Sequence, residues 1–172
     1  MANRDGEVQV LGTVMLSRRG DAEQLLALQR LAYAQEAALI NYPALPPLRE
    51  SLDDLMRCGE TVLACWQAGD LLAALGYECD DEALTICRLV VHPAHQRQGL
   101  AARLLAAVLQ AADGVPVQVC TAAANAPALA LYRRAGFIPQ RHMLTPDGLA
   151  LVLLQYPMPA KTAASPDVDH SP

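Results

Sequence analysis

The stretch that decides the fold is Leu89-Val90-Val91-His92-Pro93-Ala94-His95-Gln96-Arg97-Gln98-Gly99-Leu100-Ala101-Ala102. An apolar strand runs into a proline, which has no amide donor and stops the pairing, and a glycine then opens a helical pattern of leucine and alanine. The first turn of such a helix presents unpaired backbone N–H groups and the positive end of the helix dipole, which suits a phosphate or pyrophosphate. Gly99 and Ala101 leave that surface bare, and Arg97 adds a cation. The chain has no G-x-G-x-x-G and no G-K-[ST], which argues against a dinucleotide Rossmann site or a nucleotide triphosphatase. Alone, a Q-x-x-G-x-A turn fits an ordinary helix start equally well, so its surroundings carry the decision.

Downstream, the helix is expected over 98–113, with Leu100, Leu104, Ala107, Val108 and Ala111 on one stripe and Gly114 as terminator. A strand over 115–121, a helix over 126–135 and strands over 137–144 and 149–156 follow. Upstream, the pattern predicts a strand over 8–16 and a helix over 21–40. Asp21 and Gln24 form a capping-box-like start to that helix, and Leu25, Leu28, Ala32, Gln35 and Leu39 recur along it. The prolines of Asn41-Tyr42-Pro43-Ala44-Leu45-Pro46-Pro47 break the helix. A short helix capped by Ser51 with Asp54 ends near Gly59, and strands over 61–67, 71–79 and 83–91 form an antiparallel meander. A strand, helix and strand in succession make a right-handed parallel crossover. The expected fold is thus α/β with a mixed sheet whose fourth and fifth strands are parallel. It occupies a single domain over 8–156, flanked by disordered termini at 1–7 and 158–172.

Composition narrows the setting. The 172 residues are 53% hydrophobic, enough for one continuous core. A net charge of −5 argues against nucleic-acid binding, and no apolar run is long enough for a membrane span or signal peptide. Cys58, Cys65, Cys79, Cys87 and Cys120 are odd in number, lack a C-x-x-C pair and lie mostly in apolar stretches. They read as reduced, buried thiols in the cytoplasm, with neither disulfide nor metal.

Leu89–Val91, Pro93, Gln96–Ala101, Asn125, Tyr132 and Gly136-Phe137 together resemble the GCN5-related N-acetyltransferase family, and the order of elements is similar throughout. The resemblance implies an acetyltransferase that uses acetyl-coenzyme A as cosubstrate and needs no metal. It implies that Leu89, Val90 and Val91 meet the pantetheine arm through their backbone, one N–H polarising the thioester carbonyl. Gln96, Arg97, Gln98, Gly99, Leu100, Ala101 and Ala102 would hold the pyrophosphate. Asn125 would contact the pantetheine region; by position it is equally an N-cap ahead of Pro127. Tyr132 would be the general acid on the departing thiolate, or otherwise a semi-buried aromatic.

One position departs from the family. Many members carry a glutamate two residues before the strand's leucine, where this chain has Cys87, and a neutral thiol is a poor base. Glu78, Glu36 and His142 are the substitutes that the sequence offers. His92 and His95 are expected to cap the turn rather than catalyse.

The expected acceptor is an amine, and the proline-stiffened loop 42–49 favours a small molecule over a peptide. Acetylation of a protein or peptide, or a non-catalytic acyl-coenzyme A sensor, are the alternatives. A monomer or a homodimer is expected.

Overall fold

The expected elements occur in the expected order in a computed structural model, which describes residues 9–157. Val8 and the two expected disordered termini lie outside the described residues. The strands are β1 Gln9–Val14, β2 Thr61–Gln67, β3 Asp70–Cys79, β4 Leu84–Val91, β5 Val117–Ala122, β6 Ile138–Leu144 and β7 Ala150–Tyr156. The α-helices are α1 Arg19–Leu39, α2 Leu52–Arg57, α3 Leu100–Ala111 and α4 Ala126–Arg134. One seven-stranded sheet runs β1-β2-β3-β4-β5-β7-β6. Only its β4/β5 pair is parallel, so the sheet is mixed as expected.

Each face of the sheet carries its own core. α3 and α4 close one, in which Leu100, Leu104, Leu105, Val108 and Phe137 meet Leu75, Leu84, Ile86, Val119 and Leu154. α1 and α2 close the other, with Leu25, Leu26, Leu28 and Leu55 against Val62, Ala64, Leu71, Ala74 and Val90.

Several local expectations shift. α1 starts two residues early without a side-chain cap, and Asp21 instead accepts the Met15 N–H at 3.1 Å, tying the helix to the end of β1. Its buried residues are Ala22, Leu25, Leu26, Leu28, Gln29, Tyr33 and Ala37, so Leu25 and Leu28 fall where expected, while Gln35 and Leu39 are exposed. The stripe of α3 runs through Leu105 and ends on Ala112; Ala111 faces solvent and Ala107 is half-buried. β5 starts at Val117 because the Val115 N–H is spent on Ala112 in the turn that closes α3. The capping box of α2 is present: Ser51 Oγ accepts the Asp54 N–H, and the Asp54 carboxylate accepts the Ser51 N–H, each at 3.1 Å. The cysteines are all free, but only Cys65 is buried and Cys58 half-buried; Cys79, Cys87 and Cys120 are exposed. Among the described residues no helix is long and apolar enough to cross a membrane.

Candidate active site

β4 and β5 pair over only three residues, Leu84 with Val117, Thr85 with Gln118 and Ile86 with Val119. β4 continues to Val91 and β5 to Ala122, so the strands splay and a gap opens. The divergence starts at a bulge. On β3, Tyr77 pairs with Ile86 and its neighbour Gly76 with Arg88, leaving Cys87 as the extra residue. The bulge reverses the facing of the strand. Leu84 and Ile86 pack under α3, whereas Val90 packs under α1 and Leu89 and Val91 turn back toward α3. Leu89, Val90 and Val91 keep their β3 partners, and no strand pairs with them on the gap side among the described residues.

Beyond the gap lies the turn. His92 Nδ1 accepts the Ala94 N–H at 3.1 Å and caps the short 3-10 turn Pro93–His95, the expected structural part for that histidine. Arg97 and Gly99 then take left-handed conformations, φ 60° and 78°, so α3 begins at Leu100 and not at Gln98. Arg103 donates to the Gly99 carbonyl at 3.0 Å, which leaves the N–H groups of Leu100, Ala101 and Ala102 without intrahelical acceptors. The space over Gly99 is open: a Cβ there would meet nothing within 4 Å. An anion can therefore reach these amides unobstructed.

The other lip of the gap is the start of α4. Asn125 caps that helix, its Oδ1 accepting the Ala128 N–H at 3.1 Å, and is 8% exposed. Two turns on, Tyr132 is buried with its ring edge-on to Phe137, centroids 5.5 Å apart. Burial, with the Glu36 carboxylate nearby, raises the Tyr132 phenol well above its ordinary range, so it is a proton donor at neutral pH.

α1 joins the two lips. Gln35 and Gln96 exchange side-chain amides, the shorter bond 2.6 Å, and the next residue, Glu36, lies beside the Asn125 side chain. Burial pushes the Glu36 carboxyl up, and the neighbouring Asn125 amide offsets part of that rise.

Beneath α1 lies a buried ionic cluster. Arg88 grips Glu60 through Nε and Nη2 at 2.7 and 2.6 Å, and Glu50 through Nη1 and Nη2 at 2.9 and 3.2 Å. Gln29 accepts from Arg88 Nη1 at 2.5 Å and donates to Glu50 at 2.6 Å. The sequence did carry a signal for both: Arg88 is the one charged residue of the apolar strand Leu84–Val91, and Gln29 is a polar residue among the leucines of α1.

The structure thus brings Glu36, Asn125 and Tyr132 together and leaves the other candidates apart. Glu78 lines an open cavity of about 420 Å³ with Thr61, Tyr77 and Asp80, beside the paired end of β4. His142 is exposed on β6, the outermost strand. The Cys87 thiol reaches solvent, yet partial burial and the Glu60 and Glu78 carboxylates raise it to about 11, which leaves it protonated.

A model of the acetyltransferase (GNAT) family matches residues 24–137, from within α1 to Phe137. The chain belongs to this family. The chain is 36% identical over 131 residues to the UPF0157 protein YqkA of Bacillus subtilis (strain 168), covering 76% of itself and only 38% of that longer protein. Among solved structures, the ribosomal-protein-S18-alanine N-acetyltransferase of Escherichia coli superposes with a TM-score of 0.68 at 20% identity, over 96% of this chain and 99% of that one. The PaiA N-acetyltransferase of Thermoplasma acidophilum, solved with coenzyme A, gives 0.64 at 15% identity, over 91% and 100%. At these identities the structures speak for the GNAT fold alone. The splayed β4/β5 pair and the glycine turn at α3 lie inside the matched residues.

Proposed function

We propose that this chain is an N-acetyltransferase that moves the acetyl group of acetyl-coenzyme A directly to a small amine. The observation that carries it is the gap between β4 and β5, which runs from the Cys87 bulge to the open amides at Gly99. In this reading Gln96–Ala102 hold the pyrophosphate, with Arg97 supplying charge and the amides of Leu100, Ala101 and Ala102 the hydrogen bonds. Leu89, Val90 and Val91 align the pantetheine arm along the unpaired edge of β4. A backbone N–H there stabilises the oxyanion, a contribution of about 3 kcal/mol in comparable sites. Asn125 Oδ1 accepts from Ala128, and its amide nitrogen supplies the donors for a pantetheine contact. Tyr132 protonates the departing thiolate.

The small acceptor is supported by the bridge from Tyr42 to Asp147, which ties the proline-stiffened loop after α1 to the β6–β7 turn. Peptide acetylation and a non-catalytic acyl-coenzyme A sensor remain the competing readings. The five free thiols favour a cytoplasmic setting. The deciding experiment follows thiol release from acetyl-coenzyme A against benzylamine, putrescine, lysine amide and an alanine-initiated hexapeptide. Saturable release with a small amine, lost in Gly99→Glu, is expected. Release with the hexapeptide alone supports the peptide reading, and binding without release supports the sensor.

A further inference from the structure

We propose that Glu36 is the general base of this transfer, its carboxylate taking a proton from the acceptor's ammonium at the mouth of the β4–β5 gap. The inference rests on the transfer reading above. α1 crosses the gap with two consecutive residues, which on a helix point about 100° apart and so reach different sides. Gln35 holds Gln96 on the α3 lip, and Glu36 lies beside Asn125 on the α4 lip. The Asn125 Oδ1 accepts from Ala128, and a carboxylate only accepts, so Nδ2 is the Asn125 atom that can face Glu36. A carboxylate with one such neighbour keeps lone pairs for an ammonium.

The surroundings suit a base. Tyr132 on α4 and Tyr33, one turn earlier on α1, are both buried and raised by desolvation, hence neutral. Arg88 on β4 is committed to Glu50 and Glu60, and the α2 charges are taken up locally, Asp53 with Arg57 and Asp54 with Ser51. Arg49 ahead of α2 is exposed, and His92 and His95 lie on the turn that packs against the same helix. Among the described residues no cation pairs with Glu36. The carboxylate therefore keeps the elevated basicity that burial confers, closer to the working pH than an exposed glutamate.

The protons balance. Glu36 takes one from R–NH₃⁺, and the freed lone pair forms the N–C bond to the thioester carbonyl. Collapse breaks the C–S bond. The second nitrogen proton replaces the one that Tyr132 gives to the thiolate, and Glu36 returns its proton to water. The products are the acetamide, free thiol and one released proton.

Glu36→Gln retains an acceptor for Asn125 and tests the assignment. With the small amine that turns over best, the kcat/KM of Glu36→Gln is expected to fall about 100-fold at pH 7.5. It should then climb tenfold per pH unit toward the amine's own pKa, because only free amine reacts, whereas the wild type stays level. The acetyl-coenzyme A Kd, by calorimetry, is expected to stay within twofold, and Glu36→Asp to recover part of the rate. Wild-type-like kcat/KM in Glu36→Gln, or an unchanged pH profile, overturns the base assignment while leaving the transfer reading standing. A wild type that binds acetyl-coenzyme A and acetylates no amine overturns both. Thermal melts of Glu36→Gln complete the test: raised folded-state pKa values make the ionised carboxylate a burden at neutral pH, so a melting temperature at or above that of the wild type is expected. A variant that loses both rate and stability speaks for a structural role and against the proposal.

Discussion

Gly76 on β3 lies directly across from Arg88 on β4, and the guanidinium stem occupies the space that a side chain at Gly76 would fill. A Cβ there would stand 2.8 Å from Arg88 Cγ and collide with the Glu60 carboxylate. Gly76→Ala is expected to destabilise the fold by about 1–3 kcal/mol through overpacking. Arg88→Met leaves Glu50 and Glu60 buried without their cation and is expected to cost more, about 3–5 kcal/mol. Urea unfolding checks both, with the midpoint falling at constant slope. Wild-type midpoints in both variants would contradict the packing account.

The same cluster sets an acid limit. Burial works against the Glu50 charge, but hydrogen bonds from Arg88 and Gln29 outweigh it and hold the carboxyl below its usual range. A depressed folded-state pKa gives stability that is present above the unfolded value, near ~4.3, and lost as pH falls through the folded value. The unfolding free energy is expected to be insensitive to Glu50 above about pH 5 and to drop below that unfolded value. Glu50→Gln should lower stability at pH 7 and flatten the acid slope. Urea midpoints measured from pH 3 to 7 test it, and a Glu50→Gln slope as steep as wild type would refute it.

The order and type of elements were legible because the turn residues announce themselves: Ala68-Gly69, Pro93, Gly114 and Gly136 all end or reverse an element. So was the glycine turn, since glycine before an alanine-rich helix has a local cause. The register of α1 was legible only in part. Leu25 and Leu28 are buried as expected, but Ala32 is half-buried and Leu39 exposed, and the buried face also takes in Gln29 and Tyr33, with Gln29 accepting from Arg88 on a distant strand. Cys87 shows the same limit. Its apolar surroundings suggested a buried thiol, but Cys87 is the extra residue of a bulge and is exposed, and a bulge depends on how two strands pair rather than on either sequence. The cluster of Glu36, Asn125 and Tyr132 joins two helices remote in sequence, which no spacing rule connects.

Arg97 and Gly99 put left-handed backbone to use at the proposed pyrophosphate turn. Arg97→Gly relieves an unfavourable conformation of about 1 kcal/mol but removes the cation, so stability is expected to hold or rise while the acetyl-coenzyme A Kd increases severalfold. Gly99→Ala adds strain of similar size without blocking the amides, and is expected to lower the melting temperature more than the affinity. Calorimetric titration with coenzyme A, paired with thermal melts, separates the two. The opposite pattern would place the anion elsewhere.

A thiol raised to about 11 is neither base nor nucleophile at neutral pH. Cys87→Ala is therefore expected to leave kcat/KM within about twofold, the range of an ordinary exposed substitution. Alkylation of Cys87 by iodoacetamide should accelerate as pH approaches 11, since the thiolate is the reactive form. Mass spectrometry of the labelled peptide gives the rate. A large kinetic defect in Cys87→Ala would return the thiol to the mechanism.

Tyr42 donates from its hydroxyl to Asp147 Oδ2, joining the loop after α1 to the β6–β7 turn. Both residues belong to loops, where specificity is commonly set, so the bridge is expected to limit acceptor size. Asp147 also accepts from Thr145, and Gly148 in the same turn is left-handed at φ 90°, so the carboxylate is held ready by its own turn. Losing one exposed hydrogen bond changes global stability little, by about 0.5–1.5 kcal/mol. Its effect is expected in selectivity instead. Tyr42→Phe and Asp147→Asn should raise KM for the best small amine severalfold with little change in kcat, and should narrow its advantage over the hexapeptide. Loss of kcat at constant KM would show that the bridge supports the chemistry rather than the fit of the acceptor.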